Sequence, residues 1–337
     1  MQRLKKFLVI SLMLSIMFLV LLTAFTVGPE TLPALREMKP LYLFTAMALH
    51  IGSYVIWGMR LKVMAWGLGH HISIRDATEA VVSNLFAASI TPSMAGGEPV
   101  RIHLLNRSGN IPVGDASAVV IAERVLDALL LLVATPCALW VLRASLVSWE
   151  LDAAIAVAEI FVLFMVVLTI AGLLNPKFIA WILALVTRGL HRIIRFDRTE
   201  HIIEFIDREL WNFHNGLWKF VRTGQRGLVL GGLLTVVFWF VEFLIVPLIL
   251  LGLNQPPHLL TAFAVQVFLT LVMVVPITPG ASGIAELGGA ALFGILVPVS
   301  ILGIVVTIWR LITYYLNIVL GGLVSVKILK NGDLLRD

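Results

Sequence analysis

A helix-breaking pattern occurs twice inside otherwise apolar sequence, and it constrains the fold more than any other feature of this chain. The first copy reads Thr91-Pro92-Ser93-Met94-Ala95-Gly96-Gly97-Glu98, and the second Thr278-Pro279-Gly280-Ala281-Ser282-Gly283-Ile284-Ala285-Glu286. Proline removes a backbone donor and forbids a straight helix. Unsatisfied backbone cannot face hydrocarbon, so it must be buried in protein or line a wet cavity. The two glutamates are followed, 26 and 24 residues later, by an arginine in an apolar run, Arg124 and Arg310. Two matched sets of breaker, carboxylate and arginine predict a duplicated site for a polar or charged cargo rather than a plain membrane anchor.

The rest of the chain supplies the membrane. Of its 337 residues 59% are hydrophobic and 13% charged, against about 25% charged in soluble domains. About 20 apolar residues span a bilayer as a helix. The runs Phe7–Val27, Leu41–Met59, Ala116–Leu142, Leu151–Leu174, Leu228–Leu251 and Ser300–Val326 meet that length. The first follows Arg3, Lys5 and Lys6 but is too long for a signal-peptide core, and no small-residue cleavage site follows it, so it reads as a span. The single Cys137 excludes a disulfide framework and reads as a small packed residue. The eight histidines form no ligand-spaced cluster, so neither a metal nor another cofactor is expected.

Two more apolar regions are interrupted. Ala77–Leu105 is broken at Thr91-Pro92 and Gly96-Gly97, and Leu259–Val297 at Pro276, Pro279-Gly280 and Gly283. Each half is too short to span, so both regions are expected to be re-entrant helical hairpins, with kinked spanning helices as the alternative. With the N-terminus in the cytoplasm, six spans and two re-entrant hairpins put 20 of the 25 Lys and Arg on the cytoplasmic side, Arg60, Lys62, Arg75, Arg101 and Arg107 among them. The first hairpin then enters from the cytoplasm and the second from outside. Inverted repeats with discontinuous helices near the midplane are a transporter arrangement. The expected fold is an all-α polytopic membrane protein in one transmembrane domain. Residues 1–76 form two N-terminal spans, 77–174 the first repeat, 175–227 a basic cytoplasmic segment and 228–337 the second repeat. Within the basic segment, Arg198–Arg222 shows apolar residues at spacings of three and four, an amphipathic helix suited to an anionic leaflet or to covering the bundle.

Ionisable residues inside spans are functional hypotheses by default. Glu123, Arg124 and Asp127 share one side of a helix. Their two acids outnumber their one base, and Arg101 or Arg310 is expected to supply a further cation. Glu98 and Glu286 are placed in the first turn of the second arm of each hairpin, where a carboxylate is stabilised by the helix N-terminus. The same turns expose N–H groups that can hold an anion, while Gly96, Gly97, Gly280 and Gly283 allow close backbone approach. Tyr314, Tyr315 and Asn317 follow Arg310. Glu159 and Glu242 lie inside apolar spans, and Glu242 is the better candidate for a proton-linked carboxylate. Asn84 and Ser89 precede the first break and suit capping of freed backbone groups. There is no Walker loop, GxSxG or HExxH motif. Basic charge beside spans is explained by the membrane without nucleic acid.

The run Asn84-Leu85-Phe86, Thr91-Pro92, Gly96-Gly97-Glu98, Arg101, Glu123-Arg124 and Asp127 resembles the flippase-like transmembrane region of lysylphosphatidylglycerol synthases, which includes the UPF0104 membrane proteins. Pro276-Ile277-Thr278-Pro279-Gly280 with Gly283 and Glu286 resembles that family's C-terminal motif, departing from it at Ala281-Ser282. The resemblance implies a lipid-translocating or lipid-binding domain with two re-entrant elements, and it does not name the cargo. The soluble aminoacyl-transferase domain of synthase members has no counterpart after Val326, so transferase activity is not carried over.

The expected function is that of a flippase or scramblase for a polar-headgroup lipid, such as an aminoacylated phospholipid, glycolipid or hopanoid, and not an enzyme. Its location would be the cytoplasmic membrane, with both termini cytoplasmic. Arg101, Arg124 and Arg310 would contact an anionic or glycosylated headgroup, with Glu98, Glu123, Asp127 and Glu286 orienting them. A membrane-embedded transferase on a lipid-linked substrate, and a partner subunit of a separate lipid-modifying enzyme, are the competing readings; a homodimer is compatible with all three.

Overall fold

The computed structural model describes residues 2–91, 96–145, 218–220, 222–273 and 278–330. Among these residues the secondary structure is helical. Helix α1 covers Gln2–Thr26, α2 Thr31–Arg36, α3 Pro40–Gly67, α4 Ile74–Ile90, α5 Gly97–Gly109 and α6 Val113–Ser145. After the basic segment come α7 (Gln225–Phe243), α8 (Ile245–Gly252), α9 (Leu259–Met273), α10 (Ile284–Phe293), α11 (Val299–Arg310), a π-helical turn (Leu311–Tyr315) and α12 (Leu316–Lys330). Among the described residues, five stretches are long and apolar enough to cross a membrane: Phe7–Thr26, Pro40–Gly67, Val113–Arg143, Gln225–Gly252 and Val299–Lys330. The sixth expected span, Leu151–Leu174, the candidate Glu159 and nearly all of Arg198–Arg222 lie outside the described residues, as do Pro92 and Pro276.

Local chemistry sets the helix ends. Proline opens α3 at Pro40, where its missing N–H is harmless. The Ser73 hydroxyl accepts the Asp76 N–H at 3.0 Å to cap α4, and α5 stops at Asn110, whose φ of 47° is left-handed. Helix α3 runs on to Gly67, eight residues past the boundary read from the sequence, and this corrects the placement of Arg60. Arg60 is fully buried inside the bundle and not in a cytoplasmic loop. Carboxylates on α6 neutralise its charge and Thr235 on α7 accepts a further hydrogen bond, so the helix continues through it without exposing the charge. Arg101 is likewise fully buried inside the bundle. Cys137 lies on an exposed face of α6 and is not packed.

Both interrupted regions form helix–break–helix hairpins, with α4 packed on α5 and α9 on α10. The long helices then pair crosswise. Helix α6, which follows the first hairpin, packs on α9 of the second, and α12, which follows the second, packs on α4 of the first. Two apolar cores result. One centres on Leu61, Met64, Leu105 and Val119 from α3, α5 and α6, the other on Ile249, Val265, Phe293 and Val305 from α8 to α11. Trp239 packs against both.

Helices α3 and α7 touch backbone to backbone at Gly67 and Gly227, where a Cβ on Gly227 would stand 2.7 Å from Gly67 Cα and 2.8 Å from the Val63 carbonyl. Gly227→Leu is therefore expected to force the pair apart and destabilise the protein by about 1–3 kcal/mol. Thermal unfolding in detergent reads this as a lowered midpoint.

Candidate functional site

Among the described residues, three groups of charged and polar side chains lie around one cavity. The first group is built on Arg60. Its Nε donates to Glu123 Oε1 at 2.9 Å, and its Nη1 donates to Asp127 Oδ1 at 2.6 Å and Thr235 Oγ1 at 3.2 Å. Trp239 Nε1 also donates to Asp127 Oδ1, at 3.0 Å. Arg101 Nη1 stands 2.9 Å from Glu123 Oε2 as a charge contact without hydrogen-bond alignment. Arg124 lies 3.7 Å from both Glu98 Oε1 and Asp127 Oδ2. The guanidinium carbons of Arg60, Arg101 and Arg124 all sit 5.3–5.4 Å from the Trp57 ring centre, within cation–π range. Three arginines thus face three carboxylates, which supplies the cations that Glu123 and Asp127 were expected to need.

Exposure separates the members of this group. Arg60, Arg101 and Glu123 are sealed, whereas 44% of the Arg124 side chain is accessible and, among the described residues, long ion contacts and the Trp57 ring alone hold it. Arg124 is therefore the guanidinium that can exchange partners at least cost.

The second group joins the second hairpin to α1. Arg310 Nε donates to Glu286 Oε1 at 2.9 Å, and the guanidinium stacks 3.9 Å from the Tyr314 ring centre. Glu286 Oε2 accepts the Gly283 N–H at 2.6 Å, a carboxylate closing the first turn of α10. Ser15 donates to Glu286 Oε1 at 2.5 Å and accepts from Tyr315 at 3.0 Å. Each hairpin glutamate thus meets the arginine spaced from it in sequence, loosely for Glu98–Arg124 and tightly for Glu286–Arg310.

The two breaks also touch. Ser11 Oγ on α1 lies 3.2 Å from the Ser89 carbonyl at the first break, 3.1 Å from the Pro279 carbonyl and 3.1 Å from Ser282 Oγ at the second; it also bonds Tyr314. Gly280 has φ +59°, and a Cβ there would stand 2.5 Å from the Ser89 carbonyl. Within the first break, Thr91 Oγ1 accepts the Gly96 N–H at 3.0 Å, and Gly97 packs against Asn84. Within the second, Thr278 Oγ1 donates to the Ser282 carbonyl at 2.7 Å. At the described edge of the break, Asn84 packs on Gly97, and Ser89 presents its carbonyl while its hydroxyl donates to the Leu85 carbonyl at 2.8 Å.

The third group was not assembled from the sequence. His50 Nδ1 lies 3.0 Å from Glu242 Oε1, and His50 Nε2 lies 3.1 Å from Asn317 Oδ1. Ser53 donates to Glu242 at 2.5 Å and Tyr54 to Asn317 Oδ1. The sequence did carry a signal, since His50, Ser53 and Tyr54 recur at i, i+3 and i+4 on one face of a span.

All three groups open onto a single cavity of about 500 Å³. Arg124 and Asp127, Arg310 and Tyr314, and His50 and Glu242 line it, and so do Ser89 and Gly280 from the breaks. Most of the remaining wall is apolar, including Trp57, Phe238, Trp239 and Trp309. Arg101, Glu123 and Glu286 are buried behind this wall, and Glu98, 37% accessible, lies off it.

The sequence profile described as "Lysylphosphatidylglycerol synthase TM region" matches residues 8–321, nearly the whole chain and every group just described. The chain belongs to this family. A UPF0104 membrane protein of Archaeoglobus fulgidus is 31% identical over 328 residues, covering 96% of this chain and 99% of the relative. UPF0104 membrane proteins of Methanocaldococcus jannaschii and Pyrococcus horikoshii are 26% and 24% identical, covering 93% and 94% of this chain. No solved structure matches. Family membership makes this a multi-pass integral membrane protein, in keeping with its five apolar spans.

Proposed function

We propose that this family member moves a polar-headgroup lipid across the cytoplasmic membrane, passing the headgroup through the central cavity while the acyl chains stay in the bilayer, and that it performs no chemical step on its cargo. The observation that carries the reading is the wall of that cavity: a half-accessible Arg124 set among aromatic side chains, beside both helix breaks. Its volume of about 500 Å³ suits a headgroup, in a size range typical of small-ligand sites. Guanidinium favours phosphate through paired, charge-assisted hydrogen bonds, so an anionic or phosphate-bearing headgroup is the cargo class, with a glycosylated headgroup carrying such a phosphate included. The hairpins are read as re-entrant and inverted, with both termini cytoplasmic. Their reciprocal packing, α6 on α9 and α12 on α4, supports a twofold repeat of the kind that places transporter sites at the repeat interface. The described C-terminal Lys327 and Lys330 suit the cytoplasmic face.

The test is lipid movement in liposomes of phosphatidylcholine and acyl-labelled phosphatidylglycerol. Losing one charged hydrogen-bonding partner, worth about 1.5–3 kcal/mol, corresponds to a slowing of about tenfold to over a hundredfold. Arg124→Ala is expected to show that loss with an unchanged melting temperature, while Arg75→Ala, at an exposed ion pair, moves lipid at the normal rate. Normal movement by folded Arg124→Ala would remove Arg124 from the pathway.

A further inference from the structure

The hydrogen-bond pattern around His50 dictates a proton count. Asn317 Nδ2 donates to the Thr313 carbonyl at 2.6 Å, so its Oδ1 is the atom turned toward His50, and the Tyr54 hydroxyl donates to that same oxygen. An amide oxygen only accepts, so His50 Nε2 carries a hydrogen. The other ring nitrogen, Nδ1, faces both carboxylate oxygens of Glu242, at 3.0 and 3.2 Å. A lone pair facing a carboxylate is repulsive, so one further proton must reside on Nδ1 or on Glu242. Ser53 accommodates either position. Its hydroxyl can donate to Glu242 Oε1 at 2.5 Å, or donate to the His50 carbonyl at 2.7 Å while accepting from a protonated Glu242. The pair is neutral with this proton and carries one negative charge without it.

Among the described residues, the surroundings leave that charge unmatched. Tyr54 on α3, Arg124 and Asp127 on α6, Arg310 on α11 and Tyr314 on the π-helical turn face the same cavity. Asp127 is held by Arg60, and Arg310 by Glu286. Arg60 and Lys62 lie ten and twelve residues further along α3. Helix α4 brings Leu85, Ala88 and Ser89 to the cavity, while its Asp76 and Glu79 sit in its first turns. Helices α8, α9 and α12 bring no charged side chain to it. Among the described residues, the cation on the cavity wall with an accessible side chain is Arg124, the proposed headgroup contact. Removing the proton from the pair therefore gives Arg124 a competing carboxylate, and adding it leaves Arg124 open to a phosphate.

We propose that His50 and Glu242 form a proton-binding site on the cavity wall, and that proton loading from water on one face and release to the other couples lipid movement to the proton gradient. This rests on the lipid-translocation reading for its coupling, though not for the site itself. The proton comes from cavity water and returns to it, with no other bond made or broken.

Two measurements test it. In liposomes with acyl-labelled phosphatidylglycerol, the ratio of inward to outward lipid movement is recorded with and without a gradient of one pH unit. One-proton coupling is expected to shift that ratio by up to about tenfold, the free energy of a tenfold difference in proton activity. His50→Gln and Glu242→Gln, which keep the approximate shape, are expected to return the ratio to its gradient-free value whatever their basal rates. Separately, pH-jump infrared difference spectra of the vesicle-embedded protein are expected to show a titrating carboxyl or imidazole signal that both variants lose. A wild-type protein that moves lipid without responding to the gradient would overturn the coupling. A protein that moves no lipid but retains the titrating signal would overturn the transport reading and leave the proton site standing. If neither variant alters the wild-type spectrum, the site itself is refuted.

Discussion

Arg60→Ala is expected to lose most of the folded population in detergent. Arg60 is completely buried and satisfies Glu123, Asp127 and Thr235 from two other helices. Its removal leaves Glu123, itself fully buried, with only the unaligned contact to Arg101, and Asp127 with Trp239 and a distant Arg124. Deleting one partner of a buried ion pair costs about 3–5 kcal/mol, because the remaining charge stays desolvated. Arg60→Lys is expected to recover part of the loss, since a single ammonium cannot reproduce the planar fork that reaches two helices. Arg75→Ala, at a side chain that is 72% exposed, should stay within about 1 kcal/mol of the wild type. Melting curves that place Arg60→Ala beside Arg75→Ala would show that the network is dispensable for folding.

Gly280→Val carries the second large effect, and this one falls on function as well as stability. The left-handed φ of +59° costs an ordinary residue about 1–2 kcal/mol, and a branched side chain fits it worst. The new Cβ would also stand 2.5 Å from the Ser89 carbonyl and 2.7 Å from Tyr314. The two breaks would have to separate and release the Ser11 hydroxyl that joins them. Lipid movement in liposomes is expected to fall below detection, with a lowered melting temperature. The neighbouring Ala281→Gly, at φ 51°, relieves strain instead and is expected to leave movement intact. Wild-type rates in Gly280→Val would mean that the breaks need not touch for the protein to work.

The sequence showed the elements that hydrophobicity and helix breakers control. Four of the six expected spans match long apolar helices closely, and a fifth, α3, needed only a later end. That end was missed at Arg60, because an arginine at the edge of an apolar run reads as an interface residue until its acceptors are known. Those acceptors come from positions 123, 127 and 235, and no local pattern connects them to position 60. The matched spacing of each glutamate and a later arginine was legible, but that Glu98 meets Arg124 and Glu286 meets Arg310 was decided by the fold. The role of Ser11 and Ser15 was not legible, since two hydroxyls four apart in a first span look like ordinary small packing residues until the second break arrives beside them.

By itself the sequence determined that this chain lives in a bilayer, that its helices break at two matched places, and that each break carries an acid matched to a later arginine. These follow from costs paid locally: a proline or a charge in hydrocarbon is expensive wherever the rest of the chain goes. Only the tertiary structure decided which charges are spent on one another and which stay available. Arg60 and Arg101 are sealed against carboxylates and Arg310, on the cavity wall, is held by Glu286, while Arg124, with its long ion contacts, and the His50–Glu242 pair face the cavity. That division depends on helix contacts between residues tens to hundreds of positions apart, where a difference of a few ångströms in approach separates a sealed ion pair from a group free to meet a ligand.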